Sequence, residues 1–127
     1  YGNALQASAY DGTMTILKML LKAKADPNRV YPESEFGTAL QAACYEGTLD
    51  NVQLLLDHEA QVNPAVSGEY GTPLSAACAQ GYTEIVRLLL NNGAPTNTKG
   101  GRYTYPIIAA SECGDDEILE LLISHGA

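Results

Sequence analysis

The chain has 127 residues, 46% of them apolar, and a formal net charge of −8. That composition supports one domain with a sizeable core, and its acidity argues against nucleic acid and anionic membrane surfaces, both of which attract basic patches. No apolar run approaches the roughly 20 residues of a membrane span, and no targeting segment is visible.

One phrase occurs four times along the chain. Residues 1–8 read YGNALQAS, 36–44 read FGTALQAAC, 70–78 read YGTPLSAAC and 103–111 read YTYPIIAAS. Each copy is followed by a glycine (Gly12, Gly47, Gly81, Gly114) and then by a leucine-rich run. The copies start at Tyr1, Phe36, Tyr70 and Tyr103, at offsets of 35, 34 and 33 residues.

Each phrase reads as the start of a helix. Thr38 as N-cap with Gln41 three residues on makes a capping box, and Asn3 with Gln6 repeats the arrangement. Thr72 keeps the cap and adds Pro73 at the first helical position, where its fixed φ suits the helix. In the fourth copy Tyr105 replaces the cap and Pro106 remains, so that start is expected to be weaker by about 1 kcal/mol. The helices continue through small residues, Ala42, Ala43 and Cys44 or Ala76, Ala77 and Cys78, which permit close approach of a neighbour.

After the glycine, a second helix in each unit carries apolar residues at spacings of three and four, giving one broad apolar face. Ile16, Leu17, Leu20 and Leu21 form it first, and Ile85, Val86, Leu89 and Leu90 repeat it. Asn51 breaks the pattern where the other units have Ile. Gly93 and Gly126 suit the left-handed position that ends such a helix. Lys24 and Glu59 stand there in the first two units, at a cost of roughly 1 kcal/mol each. Loops at 29–35, 64–69 and 98–102 follow the recurring Asn28, Asn63 and Asn97, and their unequal lengths account for the drifting offsets.

A helix pair of this length cannot bury its stripe alone and must stack on copies of itself. The period, the TPLSAA signature at 72–77 and the EIVRLLLNNGA run at 84–94 resemble the ankyrin repeat family over the whole chain. The resemblance implies an all-α solenoid of four repeats, at 1–35, 36–69, 70–102 and 103–127. Each would be a helix-turn-helix, with the intervening loops projecting as β-hairpin fingers. The YGNALQA variant further resembles arrays of fungal NACHT-type, NLR-like receptor proteins. Terminal units of solenoids usually carry a polar outer face. Residues 1–12 do not look specialised in that way, and an origin in a longer array is expected.

No catalytic constellation emerges. His58 lies beside Asp57 and Glu59, yet consecutive helical residues diverge, and a His near a helix C-terminus already complements the dipole. Asp115, Asp116 and Glu117 start a helix, where acidic groups belong for the same reason. No metal, phosphate-loop or nucleotide motif is present, so no cofactor is expected. The three cysteines form no CxxC pair, and they read as free thiols of a reducing, intracellular and cytoplasmic setting rather than as metal ligands.

A binding surface is the remaining reading. The recurring aromatics Tyr1, Phe36, Tyr70 and Tyr103 read as packing at the finger bases, with an aromatic ladder for contact as the alternative. Variable positions are freer to serve a partner. Tyr10, Asp11, Tyr45, Glu46, Gln80 and Glu112 end the first helices, and Tyr31, Glu33, Glu35, Glu69, Lys99 and Arg102 lie in the loops. In arrays of the resembled family these two sets line one concave face. Glu33, Glu35, Glu46 and Glu69 there favour a protein or peptide partner with a basic segment, although plain solubility explains the acidity as well. The isolated chain is expected to be monomeric, with end-to-end association through exposed repeat ends as a further reading. A switch-receptor sensor and a constitutive adaptor are the two settings weighed for such a module.

Overall fold

Every copy of the recurring phrase starts a helix. The computed structural model describes residues 3–127, which contain four successive helix pairs. They are α1 (Ala4–Tyr10) with α2 (Met14–Lys22), α3 (Ala39–Glu46) with α4 (Leu49–Asp57), α5 (Pro73–Gln80) with α6 (Thr83–Asn91), and α7 (Pro106–Cys113) with α8 (Asp116–Ser124). Tyr1, the first of the recurring aromatics, lies outside the described residues.

The caps explain where these helices begin. At Thr38 the box is complete: the Gln41 backbone N–H donates to Thr38 Oγ1 at 3.2 Å, and the Thr38 N–H donates to Gln41 Oε1 at 3.1 Å. At Asn3 only half of it forms. The Gln6 N–H donates to Asn3 Oδ1 at 2.8 Å, while the Gln6 amide turns forward and donates to the Gly37 carbonyl of the next repeat at 2.7 Å. Ser75 N–H finds Thr72 Oγ1 at 3.1 Å, and Tyr105 offers α7 no side-chain cap. Asp115 caps α8 through the Ile118 N–H at 3.1 Å.

The second helices of the first two repeats end on residues that carry a Cβ in the left-handed region. Lys24 (φ 69°) and Glu59 (φ 67°) take the conformation that Gly93 and Gly126 take later, which fixes the sequence register. Thr104 (φ 66°) was not anticipated: a β-branched residue holds the backbone conformation of Gly37 and Gly71 at the matching place.

Packing follows the small residues. α1, α3, α5 and α7 stack in one row and α2, α4, α6 and α8 in a second, with the inner row in closer contact. Ala42, Ala43, Cys44, Ala76, Ala77, Cys78, Ala109 and Ala110 are fully buried between inner helices. The leucine stripes close the space between the rows, with Leu17, Val52, Leu55, Leu89 and Leu122 inaccessible. Such close-packed interiors leave few voids, so each repeat fits its neighbour in one register.

Side-chain amides fasten one repeat to the next. Gln6 reaches Gly37 of the next repeat, whereas Gln41 Nε2 ties α3 to the finger of its own repeat, donating to the Ser67 carbonyl at 2.7 Å. Asn28 Nδ2 donates to the Glu59 carbonyl at 3.0 Å while its Oδ1 accepts from the Gln61 N–H at 2.7 Å. Asn97 Nδ2 repeats the first of these contacts with the Gly126 carbonyl at 3.3 Å. These bonds give Asn28 and Asn97 their purpose.

The fingers are turns, each closed by one backbone hydrogen bond. Tyr31 N–H donates to Gly37 O at 2.9 Å, Ser67 to Gly71 at 3.1 Å and Gly100 to Thr104 at 2.8 Å. Only the Ser67–Gly71 pair forms a β-bridge, an isolated one, so among the described residues the hairpins stop short of two-stranded ribbons. Fingers also touch in sequence. Glu69 N–H donates to Glu35 O at 2.6 Å, and Arg102 N–H to Glu69 O at 2.7 Å. Gly68 and Gly101 permit that approach: a Cβ on either would strike the backbone of the preceding finger.

Two buried features carry consequences. Asn51 of α4 is inaccessible, and neither its Nδ2 nor its Oδ1 has a partner. The Cys44 and Cys78 thiols are buried and free, and Cys113 is exposed. Burial, then the charge of Cys78, pushes the Cys44 thiol up, and burial, then Cys113 and Asp115, pushes Cys78 up to about 12.

Three outcomes are expected. Asn51→Leu replaces an unpaired amide by an apolar group of the same shape and should stabilise the fold by about 1–3 kcal/mol, read by urea denaturation. Glu59→Gly relieves a left-handed Cβ and should raise the thermal midpoint, by roughly 1 kcal/mol of stability. A lowered midpoint would contradict the strain. Near neutral pH, a thiol reagent should label Cys113 alone in the folded chain and all three cysteines after denaturation, because thiolates and not thiols react.

Candidate binding face

Aromatic rings join the helix ends to the finger bases. Tyr10, at the end of α1, stacks on Phe36 with ring centroids 5.2 Å apart. Phe36 lies 5.1 Å from Tyr45, at the end of α3, and Tyr45 lies 5.3 Å from Tyr70. Tyr70 stacks on Tyr103 at 6.2 Å. Centroid separations of 4.5–7 Å are those of attractive aromatic pairs. Phe36 and Tyr70 are buried, while Tyr10, Tyr45 and Tyr103 keep part of their surface in solvent. The line is therefore both core and surface.

Tyr10 and Tyr45 thus differ from their sequence reading as freely varying contact residues. They interleave with the recurring aromatics, and each ring is held by its neighbours. The signal was present, since Tyr10 and Tyr45 occupy equivalent positions in successive repeats. What the sequence lacked was the path by which a helix-end ring reaches the finger base of the following repeat.

Two guanidinium groups lie over tyrosine rings, one of them on the strip. The Arg29 guanidinium lies 5.3 Å from the Tyr31 ring centroid, and that of Arg102 lies 5.5 Å from Tyr103. These are cation–π distances. Arg102 is also taken by Glu69, with Nη1 3.1 Å from Oε1. Tyr31 is held from the helix side, its hydroxyl accepting from Asn3 Nδ2 at 3.0 Å. Arg102 and Tyr31 are consequently fixed in place instead of free at the finger tips. Burial, followed by the Tyr45 and Glu69 charges, pushes the Tyr70 phenol up to about 12.

The remaining candidates lie at the helix ends and in the fingers. Glu35, Glu69 and Arg102 form the backbone-linked line of the fingers. Asp11 is the C-cap residue of α1, Glu46 and Gln80 end α3 and α5, and Glu112 lies one residue before the end of α7. All four are exposed, as are Glu33 and Lys99 in the loops. Asp11 and Glu46 directly follow Tyr10 and Tyr45 in the chain, Glu33 and Glu35 stand exposed in the first finger, and Glu69 is matched by Arg102.

Neither histidine joins this surface or a reactive group. His125 Nδ1 lies 2.8 Å from the Leu121 carbonyl, so that nitrogen carries the proton and donates at the end of α8. His58 is exposed at the end of α4, across a shallow groove from Lys22 and Met19. Among the described residues no group of three potential ligands is placed to hold a metal ion, and no helix is long and apolar enough to cross a membrane.

A family model described as Ankyrin repeats (3 copies) matches residues 4–100 and 63–127. No curated protein matches the chain. Ankyrin repeats generally mediate contacts between proteins and are typically not enzymes. With the paired helices, the finger turns and the stacked register described above, this match is decisive: the chain belongs to the ankyrin repeat family.

Proposed function

We propose that this chain is a non-catalytic protein-binding module whose partner lies along the aromatic strip, between the ends of the inner helices and the fingers. The observation that carries the reading is the strip itself: partly exposed Tyr10, Tyr45 and Tyr103 in one line, with exposed carboxylates beside it. Tyrosine contributes large, rigid contact area at little entropic cost and is enriched among residues that dominate binding energy. Asp11, Glu33, Glu35 and Glu46 favour a partner segment carrying Lys or Arg, which speeds encounter and fixes register. Tyr31, Arg102, Gln80, Lys99 and Glu112 complete the proposed face.

A sensor in an NLR-like receptor is the finer form of this proposal, and it rests on the likeness of the YGNALQA phrase to fungal arrays. A constitutive scaffold or substrate-recruiting adaptor uses the same face without a switch.

The proposal is tested by selecting peptides from a random library on the folded chain. Recovered sequences should be enriched in Lys and Arg, and their affinity should fall at least about tenfold, or roughly 1.4 kcal/mol, against a Glu35→Lys, Glu46→Lys variant. Raised salt should weaken binding to the unaltered chain. Binders that tolerate this variant and a Tyr31→Ala, Tyr45→Ala, Arg102→Ala variant equally would remove the proposed face.

A further inference from the structure

Basic residues are few in this acidic chain and unevenly placed. Of 7 lysines and arginines, Lys18, Lys22, Lys24 and Arg29 fall in the first repeat. On the later outer helices, base is matched by acid. Arg87 of α6 lies 3.6 Å from Glu84 of its own helix and also pairs with Glu117 of α8. On α4 the corresponding places hold Gln53 and Asp57, which bond to each other at 2.8 Å. α2 is different. It holds Lys18 and Lys22 and no acid, and among the described residues neither ammonium group has an ion pair. The two stand four residues apart on one helix face, where like charges repel.

These places point to solvent throughout the stack. Lys18 corresponds to Gln53 of α4 and Glu120 of α8, and Lys22 to Asp57, Asn91 and Ser124, all of them exposed. The two lysines therefore belong to the outer surface by their position in the repeat. Between α2 and α4 they border a shallow depression. Thr15, Lys18, Met19 and Lys22 line one side of it, and Leu54 and His58 the other. Met19 and Leu54 supply its apolar surface, and no carboxylate lines it. Carboxylates begin only beyond Lys22, where Asp26, Asp57 and Glu59 line the continuation of the groove. Two of these already accept hydrogen bonds, Asp26 from the Asn28 N–H at 2.9 Å and Asp57 from Gln53 Nε2. The other outer grooves are acidic along their length: Asp50 and Glu84 line the one between α4 and α6, and Glu117 and Glu120 the one between α6 and α8.

We propose that the outer groove between α2 and α4 docks an acidic amphipathic segment of a partner protein, with an apolar side chain over Met19 and Leu54 and carboxylates at Lys18 and Lys22. Charge complementarity selects this occupant, since two ammonium groups without partners beside an apolar floor match carboxylate and hydrocarbon at short spacing. Methionine adapts its shape to varied apolar contacts, and the lysine stems add hydrocarbon of their own. The site is separate from the aromatic strip, which lies with the inner helices and the fingers and is proposed for a partner of the opposite charge.

The test selects helical peptides carrying Asp, Glu, Leu and Phe from a display library on the folded chain. Binders should shift the amide resonances of α2 and α4 in an isotope-labelled sample. Lys18→Glu with Lys22→Glu should weaken their affinity at least about tenfold while keeping the wild-type helical circular dichroism signal. Met19→Gln should weaken it severalfold at unchanged charge. The Tyr31→Ala, Tyr45→Ala, Arg102→Ala variant should bind these peptides as wild type does, so that failure of this site and failure of the aromatic face are read separately. The proposal is overturned if the library yields no binder, if binders are indifferent to the lysine reversal, or if inorganic phosphate alone produces the same shifts at the same concentration.

Discussion

The constraint behind this structure is that no helix pair in it can bury its own apolar stripe. Each pair has two faces to cover and only the neighbouring pairs to cover them with. Alanine and cysteine between the inner helices let the backbones approach, and the leucines of the outer helices fill the space that remains. Because the solution is the same at every step, stability is shared among interfaces and no single centre holds the chain together. The hydrogen bonds have the same character. Gln6, Asn28 and Asn97 spend their amides on the next repeat, and Gln41 divides its amide between its own helix start and the finger that follows.

The local signals of the sequence were sufficient for the helices. A Thr followed three residues later by Gln, a Pro at the first turn and a glycine after the last turn each state a boundary in terms of orphaned backbone groups. Even the imperfect positions were readable, since Lys24 and Glu59 had to be left-handed if the register was right. Non-local features were not readable. Nothing near Gln6 says that its amide serves Gly37, and nothing near Tyr10 says that its ring rests on Phe36. Thr104 was missed because Tyr and Pro around it look like a helix start, while its φ is set by the finger it closes. Asn51 was visible as a broken pattern, but the sequence alone could not say that both its polar atoms would be buried without partners.

The candidate face was legible in a coarser way. Its residue types followed from which positions recur and which vary, and its two rows from the family resemblance. The division of labour did not. Tyr10 and Tyr45 serve packing and surface together, Arg102 is engaged by Glu69 and Tyr103, and Tyr31 by Asn3. A surface whose larger side chains are already held in position loses less conformational freedom when something docks on it. In the proposed binding role the aromatic line would therefore contribute preorganisation in addition to area.

The fingers are tied down near their bases, by a backbone hydrogen bond across each neck, by Gln6 and Gln41, and by glycines that allow one loop to lie on another. Their outermost residues consequently have almost no structural duties. Glu33 or Lys99 can be exchanged over evolutionary time without the helices having to readjust. In the proposed role, such exchanges would change what the chain recognises and leave its architecture intact.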